Sequence, residues 1–203
     1  PTIFDNGRIL FIDATENAKS LERTPSYVHR LMELEFKRGE TIVGIGGGIT
    51  QDITCFIAST LMRGVAWQYF PTTLLAQCDS CIGSKSSINA GNLKNIIGTF
   101  YPPEKIFIDV NVLGSLQERD IQSGLGEMFK VHAIDCPTSF DKFAASYEKI
   151  LTNKDVMQTY IYESLLIKKR LIELDEFDTG PRNVMNYGHS FGHAIETATD
   201  YQI

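Results

Sequence analysis

Val43-Gly44-Ile45-Gly46-Gly47-Gly48-Ile49-Thr50-Gln51-Asp52 decides how the rest of the chain is read. The apolar run Thr41–Ile45 passes straight into three glycines, and a helical pattern follows from about Gln51 to Met62. A strand that turns directly into a helix is predicted. Glycine lets the backbone come close to a bound group, and a helix start supplies free N–H donors and a positive dipole end. The stretch departs from G-x-G-x-x-G because Ile49 holds the sixth position. A phosphate cradle and a tight structural turn both remain open at this point.

Outward from that junction, Arg8–Ile12, Ala66–Phe70 and Ile106–Val110 read as strands, and Leu21–Phe36 reads as an amphipathic helix. Strands alternating with helices predict a parallel sheet of βαβ units. The texture changes near Gln117. Arg119–Ile134, Tyr147–Glu173 and Asn183–Thr199 all read as helices, with breaks at Pro137 and Asp175–Pro181. The expected fold is therefore α/β: a Rossmann-like parallel sheet in the N-terminal half, 1–115, then an all-helical half, 116–203. The first residue is Pro1 and the last stretch stops just after a strong motif, so both halves are read as truncated.

The 203 residues are 43% hydrophobic and 22% charged, with a net charge of −6, which is ordinary for a globular chain. That balance leaves no basic footprint, so no nucleic acid is expected as a partner. No apolar run approaches the ~20 residues of a membrane span, and no signal peptide is visible, so no membrane partner and a cytoplasmic location are expected. Cys78 and Cys81 form a C-x-x-C, with Cys55 and Cys136 elsewhere. It is a redox or zinc pair, or a chance spacing in a reduced protein that has no second pair to complete a zinc site.

Several polar groups stand out. His189 and His193 are one helical turn apart, a good spacing for a divalent metal, although a structural pair is the alternative. Glu127 and Lys130 share a helical face at i, i+3, as a surface pair or as charges in a close-packed helix flanked by Gly124 and Gly126. Lys85 and Lys94 sit in a polar, glycine-bearing segment, 82–95, that reads as a loop: an anion site or a plain surface loop. Arg182 and Asn186, four apart, form a stripe before His189 that suits a pocket wall.

The ordered set of motifs resembles the dehydroquinate synthase and sugar-phosphate cyclase family from about Glu16 to the end of the chain. Carrying the resemblance are Gly46-Gly47-Gly48-x3-Asp52, Leu61-Met62-Arg63-Gly64-Val65, Phe70-Pro71-Thr72-Thr73-Leu74-Leu75-Ala76-Gln77-x-Asp79-Ser80, Lys85…Lys94-Asn95-x2-Gly98, Gly124-x2-Glu127-x2-Lys130, and Asn186-x-Gly188-His189-x-Phe191-Gly192-His193. The resemblance implies NAD contacts at Glu16, Lys19, Gly47, Gly48, Asp52, Thr72, Thr73, Asp79 and Lys94. It implies a divalent metal, zinc or cobalt, on Glu127 and His189, with a third ligand beyond Ile203. His193 then lines the substrate pocket instead of ligating, together with Lys85, Asn95, Lys130, Lys168, Arg182 and Asn186. Arg63 would reach the substrate phosphate of a neighbouring subunit, which implies a homodimer.

The implied activity is a carbon-oxygen lyase that converts a small phosphorylated sugar acid, 3-deoxy-D-arabino-heptulosonate 7-phosphate, to 3-dehydroquinate and phosphate, in aromatic amino acid biosynthesis. Retained Lys168 and Arg182 suit a substrate carboxylate. The alternatives are a related cyclase of the 2-deoxy-scyllo-inosose or 2-epi-5-epi-valiolone synthase type, an NAD- and metal-dependent polyol dehydrogenase, and a non-catalytic NAD-binding protein. Gln51, Ser84, Leu93 and Asp178 depart from the family pattern and leave the exact substrate open.

Overall fold

The computed structural model describes residues 6–188 and Gly192. It divides into two compact units, Pro1–Leu125 and Gly126–Ile203.

In the first unit, β1 (Ile42–Gly46) pairs in parallel with β2 (Trp67–Pro71), and β2 pairs in parallel with β5 (Lys105–Ile106). Helix α1 (Thr24–Glu33) precedes β1, and α2 (Gly48–Thr60) connects β1 to β2. Such a crossover is the expected link between parallel strands. Ile53, Ile57 and Ala58 on α2 and Trp67 and Tyr69 on β2 are all buried. Alternation on β2 is clean: Trp67, Tyr69 and Pro71 are buried, while Gln68 and Phe70 are only half-buried. This matches the period of two that a strand imposes. Phe70 on the other face stacks on Phe107 with ring centroids 4.5 Å apart.

Two expectations fail here. Arg8–Ile12 forms no strand; a single 3₁₀ turn, Asn6–Arg8, leads into irregular chain. Its apolar residues instead line a groove of about 770 Å³ beside β1, with Ile42, Ile53 and Ile57. A strand needs a ladder partner for its backbone groups, and among the described residues β1 pairs only with β2. The polar segment 82–95 is not a plain loop either. It contains β3 (Ile88–Ala90) and the start of β4 (Leu93–Ile97), an antiparallel hairpin turning at Gly91, whose φ is +55°. Alternation in such a short, polar hairpin is too weak to read.

The second unit is helical among its described residues. It takes the later turns of α3 (Glu118–Asp135), then α4 (Pro137–Thr152) and α5 (Lys154–Leu174). The long helix expected over Tyr147–Glu173 is two helices. Asn153 breaks it and caps α5, its Oδ1 accepting from the amides of Asp155 and Val156. Val131, Ile167 and Met185 form a small core with Ile134 and Leu171 against it. Within the expected helix Asn183–Thr199 the described residues show a 3₁₀ turn, Pro181–Asn186, followed later by a helical Gly192 whose amide donates to the Gly188 carbonyl at 2.9 Å. No described helix is long and apolar enough to cross a membrane.

Candidate active site

In β1 and β2 the register pairs Gly46 with Pro71, so both parallel strands end level. The glycine turn and Thr72-Thr73 therefore leave the sheet side by side at the carboxyl ends of the strands. That is where open α/β sheets place their ligands. The Thr72 amide donates to the Gly46 carbonyl at 2.9 Å. A Cβ built on Gly47 would lie 2.8 Å from Thr73 Cγ2, so only glycine fits there. At Gly48, which opens α2, a Cβ would meet nothing within 4 Å. The turn is closed on its protein side and open above the first amides of α2, which no helical carbonyl can satisfy. This geometry is that of an anion cradle, and it fits the pyrophosphate of a dinucleotide.

Three supports of this turn were not foreseen from the sequence. The buried Tyr69 hydroxyl lies 2.9 Å from the Gly46 carbonyl and 3.0 Å from the Gly47 carbonyl. Burial drives its pKa far above the ordinary tyrosine value, so it stays a donor. Gln51, on the first turn of α2, clasps Ser80 reciprocally: Nε2 donates to the Ser80 carbonyl at 2.5 Å, and Ser80 Oγ donates to Oε1 at 2.7 Å. Buried Gln77 donates from Nε2 to the carbonyls of Pro71 and Asp109, tying two loops together below the cradle. A tyrosine at the inward position next to a strand end was the only available signal among these.

Beside the cradle lies a knot of polar groups. The Lys19 ammonium is 2.8 Å from Asn95 Oδ1, 3.3 Å from Asp52 Oδ2 and 3.4 Å from Glu16 Oε1. Asp52 Oδ1 accepts from the Ser87 amide at 2.9 Å. Burial pushes the Asp52 carboxyl up to about 6 even though Lys19 pulls the other way. So Glu16 and Lys19, close in sequence, meet Asp52 and Asn95 from two distant segments. Thr73 Oγ1 accepts from the Ala76 amide and starts the π-helical turn Ala76–Ser80 that carries Asp79. Lys85 and Lys94 are exposed on and near the β3–β4 hairpin. Arg63 is exposed in a left-handed run, Met62, Arg63 and Gly64 having φ of 50°, 69° and 114°.

In the helical unit Glu127 and Lys130 form an ion pair of 2.5 Å, with side chains 16% and 13% exposed. This is a half-buried pair and not the solvated surface pair of the simpler reading. Lys168 and Arg182 are both 6% exposed. Arg182 donates to the Glu176 carbonyl at 2.7 Å, while its own amide donates to Asp175 Oδ2. The stripe expected of Arg182 and Asn186 does not form, because Asn186 is exposed. A 3₁₀ turn has three residues per turn, so Arg182 aligns with buried Met185 instead. His189 and His193 lie outside the described residues. Among the described residues no group of three or more His, Cys, Asp and Glu side chains is placed to hold a metal. Of the two expected ligands only Glu127 lies among the described residues, its carboxylate facing the Lys130 ammonium.

Cys78 and Cys81 are buried free thiols bonded to backbone carbonyls, Cys78 to those of Leu75 and Gly124 and Cys81 to that of Gln77. Their spacing serves packing. Gly124 is required by the same contact region, since a Cβ there would lie 2.5 Å from Leu74 Cγ.

Sequence profiles bring these two halves together. The 3-dehydroquinate synthase N-terminal family matches residues 9–123, and the 3-dehydroquinate synthase C-terminal family matches residues 124–203. The chain belongs to the 3-dehydroquinate synthase family. It is 37% identical over 195 residues to the 3-dehydroquinate synthase of Clostridium perfringens strain 13, covering 96% of this chain and 55% of that protein. It is 43% identical over 173 residues to that of Thermodesulfovibrio yellowstonii, covering 85% of this chain and 48% of that protein. The chain thus spans about half the length of the curated relatives it matches.

Among solved structures, the 2-epi-5-epi-valiolone synthase of Streptomyces hygroscopicus subsp. jinggangensis, with NAD⁺ and Zn²⁺ bound, superposes with a TM-score of 0.85 at 26% identity, over 95% of this chain and 54% of that one. A 2-deoxy-scyllo-inosose synthase complexed with carbaglucose-6-phosphate, NAD⁺ and Co²⁺ gives 0.79 at 27%, over 91% and 51%. The α/β sheet followed by helices is thus the fold of 3-dehydroquinate synthase relatives, as the strand–glycine–helix junction implied.

Proposed function

We propose that the protein acts as a 3-dehydroquinate synthase, an NAD- and divalent-metal-dependent carbon-oxygen lyase that makes 3-dehydroquinate and phosphate from 3-deoxy-D-arabino-heptulosonate 7-phosphate. Two buried cations in the helical unit, Lys168 and Arg182, carry this reading. Cations with little exposure to water favour anionic ligands, and the proposed substrate carries both a carboxylate and a phosphate. The relatives that match over nearly the whole chain at 36–39% identity bear the same name.

Each residue has a role in the proposal. Gly47, Gly48, Thr72 and Thr73 hold the cofactor's pyrophosphate, with Asp52, Asp79, Glu16, Lys19 and Lys94 around the rest of it. Glu127 and His189 would hold the metal, which would supply Lewis acidity at a substrate hydroxyl, and bound NAD would supply reversible hydride storage. Lys85, Asn95, Lys130, Lys168, Arg182, Asn186 and His193 bind and orient the substrate, whose own phosphate takes up the proton as it leaves. The protein's chief contribution is orientation and charge neutralisation. Arg63 acts on the substrate phosphate of a second copy in a homodimer. Three successive positive φ values present it on an exposed turn, a costly conformation that supports a functional demand. A cytoplasmic location accompanies the biosynthetic role.

The test is phosphate release by the full-length protein with NAD, with and without a chelator. Release from 3-deoxy-D-arabino-heptulosonate 7-phosphate that exceeds release from sedoheptulose 7-phosphate by about 100-fold or more is expected, because a substrate lacking the carboxylate forgoes a charge-assisted contact with the site's cations. Preference for the carboxylate-free sugar would instead make the protein a cyclase of the valiolone type. Hydride transfer without phosphate release would make it a polyol dehydrogenase.

A further inference from the structure

The buried Lys19 ammonium has three N–H donors and three acceptors within reach: Asn95 Oδ1, Asp52 Oδ2 and Glu16 Oε1. The tightest contact, 2.8 Å, goes to Asn95. A primary amide has one acceptor end and one donor end, and an ammonium can only donate. Lys19 therefore fixes the Asn95 amide with Oδ1 turned inward. The Asn95 residue is exposed, so its NH₂ group is turned toward solvent as a pair of donors.

The same segment also holds the Asn95 backbone. The Asn95 amide donates to Asn89 Oδ1 at 2.8 Å, and Asn89 Nδ2 donates to Glu16 Oε1 at 2.7 Å. Asn89 N in turn donates to the Lys19 carbonyl at 3.0 Å. Asn95 needs this support because its φ is +55°, a left-handed conformation that costs a non-glycine residue energy.

We propose that Lys19 is a positioning residue: it locks the side-chain amide of Asn95 in the orientation that donates to an oxygen of the substrate, and so couples the cofactor-side carboxylate Asp52 to substrate binding. This deepens the functional reading above and rests on it for the identity of the substrate. Without Lys19 the amide is free to turn, and its acceptor end then faces the anionic ligand half of the time or more.

The experiment compares wild type, Lys19→Met and Asn95→Asp in the full-length protein. Hydrogen exchange at the Asn95 amide, NAD affinity by calorimetry, and KM and kcat for 3-deoxy-D-arabino-heptulosonate 7-phosphate are measured on each. Lys19→Met is expected to weaken NAD binding, since Lys19 also faces the cofactor side, and at saturating NAD to speed Asn95 exchange and raise KM, each by about tenfold. Asn95→Asp keeps the Lys19 contact but presents an acceptor outward. It is expected to raise KM at least as much, with folding preserved. Unchanged Asn95 exchange in Lys19→Met, or a KM that is unchanged at saturating NAD, overturns the proposal and makes Lys19 a cofactor ligand only. Wild type that folds and binds NAD but shows no turnover would refute the functional reading instead. The exchange rate at Asn95 would still decide whether Lys19 holds that residue.

Discussion

Lys130 Nζ lies 2.5 Å from Glu127 Oε1, one turn along α3, with both side chains largely withdrawn from solvent. Were Glu127 to hold a metal, that ion and the Lys130 ammonium would compete for the same charge. Replacing Lys130 with Met is therefore expected to tighten Zn²⁺ or Co²⁺ binding by roughly threefold to tenfold, the strength of a partly screened pair. Turnover should fall by about 100-fold or more, because a charge-stabilising donor is lost. Metal titration by calorimetry alongside steady-state kinetics checks both. Weaker metal binding in the variant would mean that Lys130 supports the metal and does not compete with it.

Gly47 and Gly48 separate a structural need from a ligand's need. Gly47→Ala places a methyl group 2.8 Å from Thr73 Cγ2 and should destabilise the first unit by about 1–3 kcal/mol. Gly48→Ala meets no protein atom within 4 Å. It should leave the melting curve nearly unchanged, yet weaken NAD binding by about tenfold or more through steric exclusion. A Gly48→Ala protein that binds NAD normally would show that the cradle lies elsewhere.

Tyr69 offers a gentler probe. Tyr69→Phe removes only the hydroxyl that reaches the Gly46 and Gly47 carbonyls. The expected cost is about 1–2 kcal/mol of stability in urea, with NAD affinity reduced severalfold as the turn loosens. Wild-type-like stability and affinity would make the hydroxyl dispensable.

His132 gives the helical unit a pH dependence. Ser164 Oγ donates to the Tyr160 carbonyl at 2.8 Å, so it accepts from His132 Nε2–H at 3.3 Å, and Nδ1 accepts from Ser139 Oγ at 2.8 Å. The ring is neutral, stacked on Phe143 and 1% exposed. Burial lowers its pKa below the ordinary histidine value, with Asp135 opposing. The unfolded chain then takes up a proton first as the pH falls. Stability is full above about 6.5 and is lost as the pH drops from there toward the depressed folded value. Hydrogen exchange in α4 and α5 should accelerate between pH 7 and pH 5. His132→Gln should flatten that response. An identical slope in the variant would assign the effect to other groups.

Much of the molecule was legible before any coordinates. Short apolar runs marked β1 and β2, and three glycines after the first of them marked the junction, because glycine punctuates the switch from strand to helix. The departures have local causes. Arg8–Ile12 looks like a strand to a pattern reader, but ladders are made by partners and not by propensity. The break at Asn153 lay hidden in an unbroken helical period, since a capping asparagine is only one polar residue among many. The 3₁₀ geometry at Pro181–Asn186 rotated Asn186 away from Arg182, a difference of less than one residue per turn that spacing cannot reveal.

By itself the sequence determined the order of elements, the family and the residue types gathered for chemistry, because these depend on periodicity and on motifs close in the chain. Tertiary structure alone decided which of those residues touch. Glu16, Lys19, Asp52 and Asn95 meet around one ammonium, and Tyr69 reaches the glycine turn, only because separate segments pack together in three dimensions. Burial, too, belongs to the folded chain: it lifts the Asp52 carboxyl to about 6 through desolvation, a property no residue carries until its neighbours have displaced the water around it.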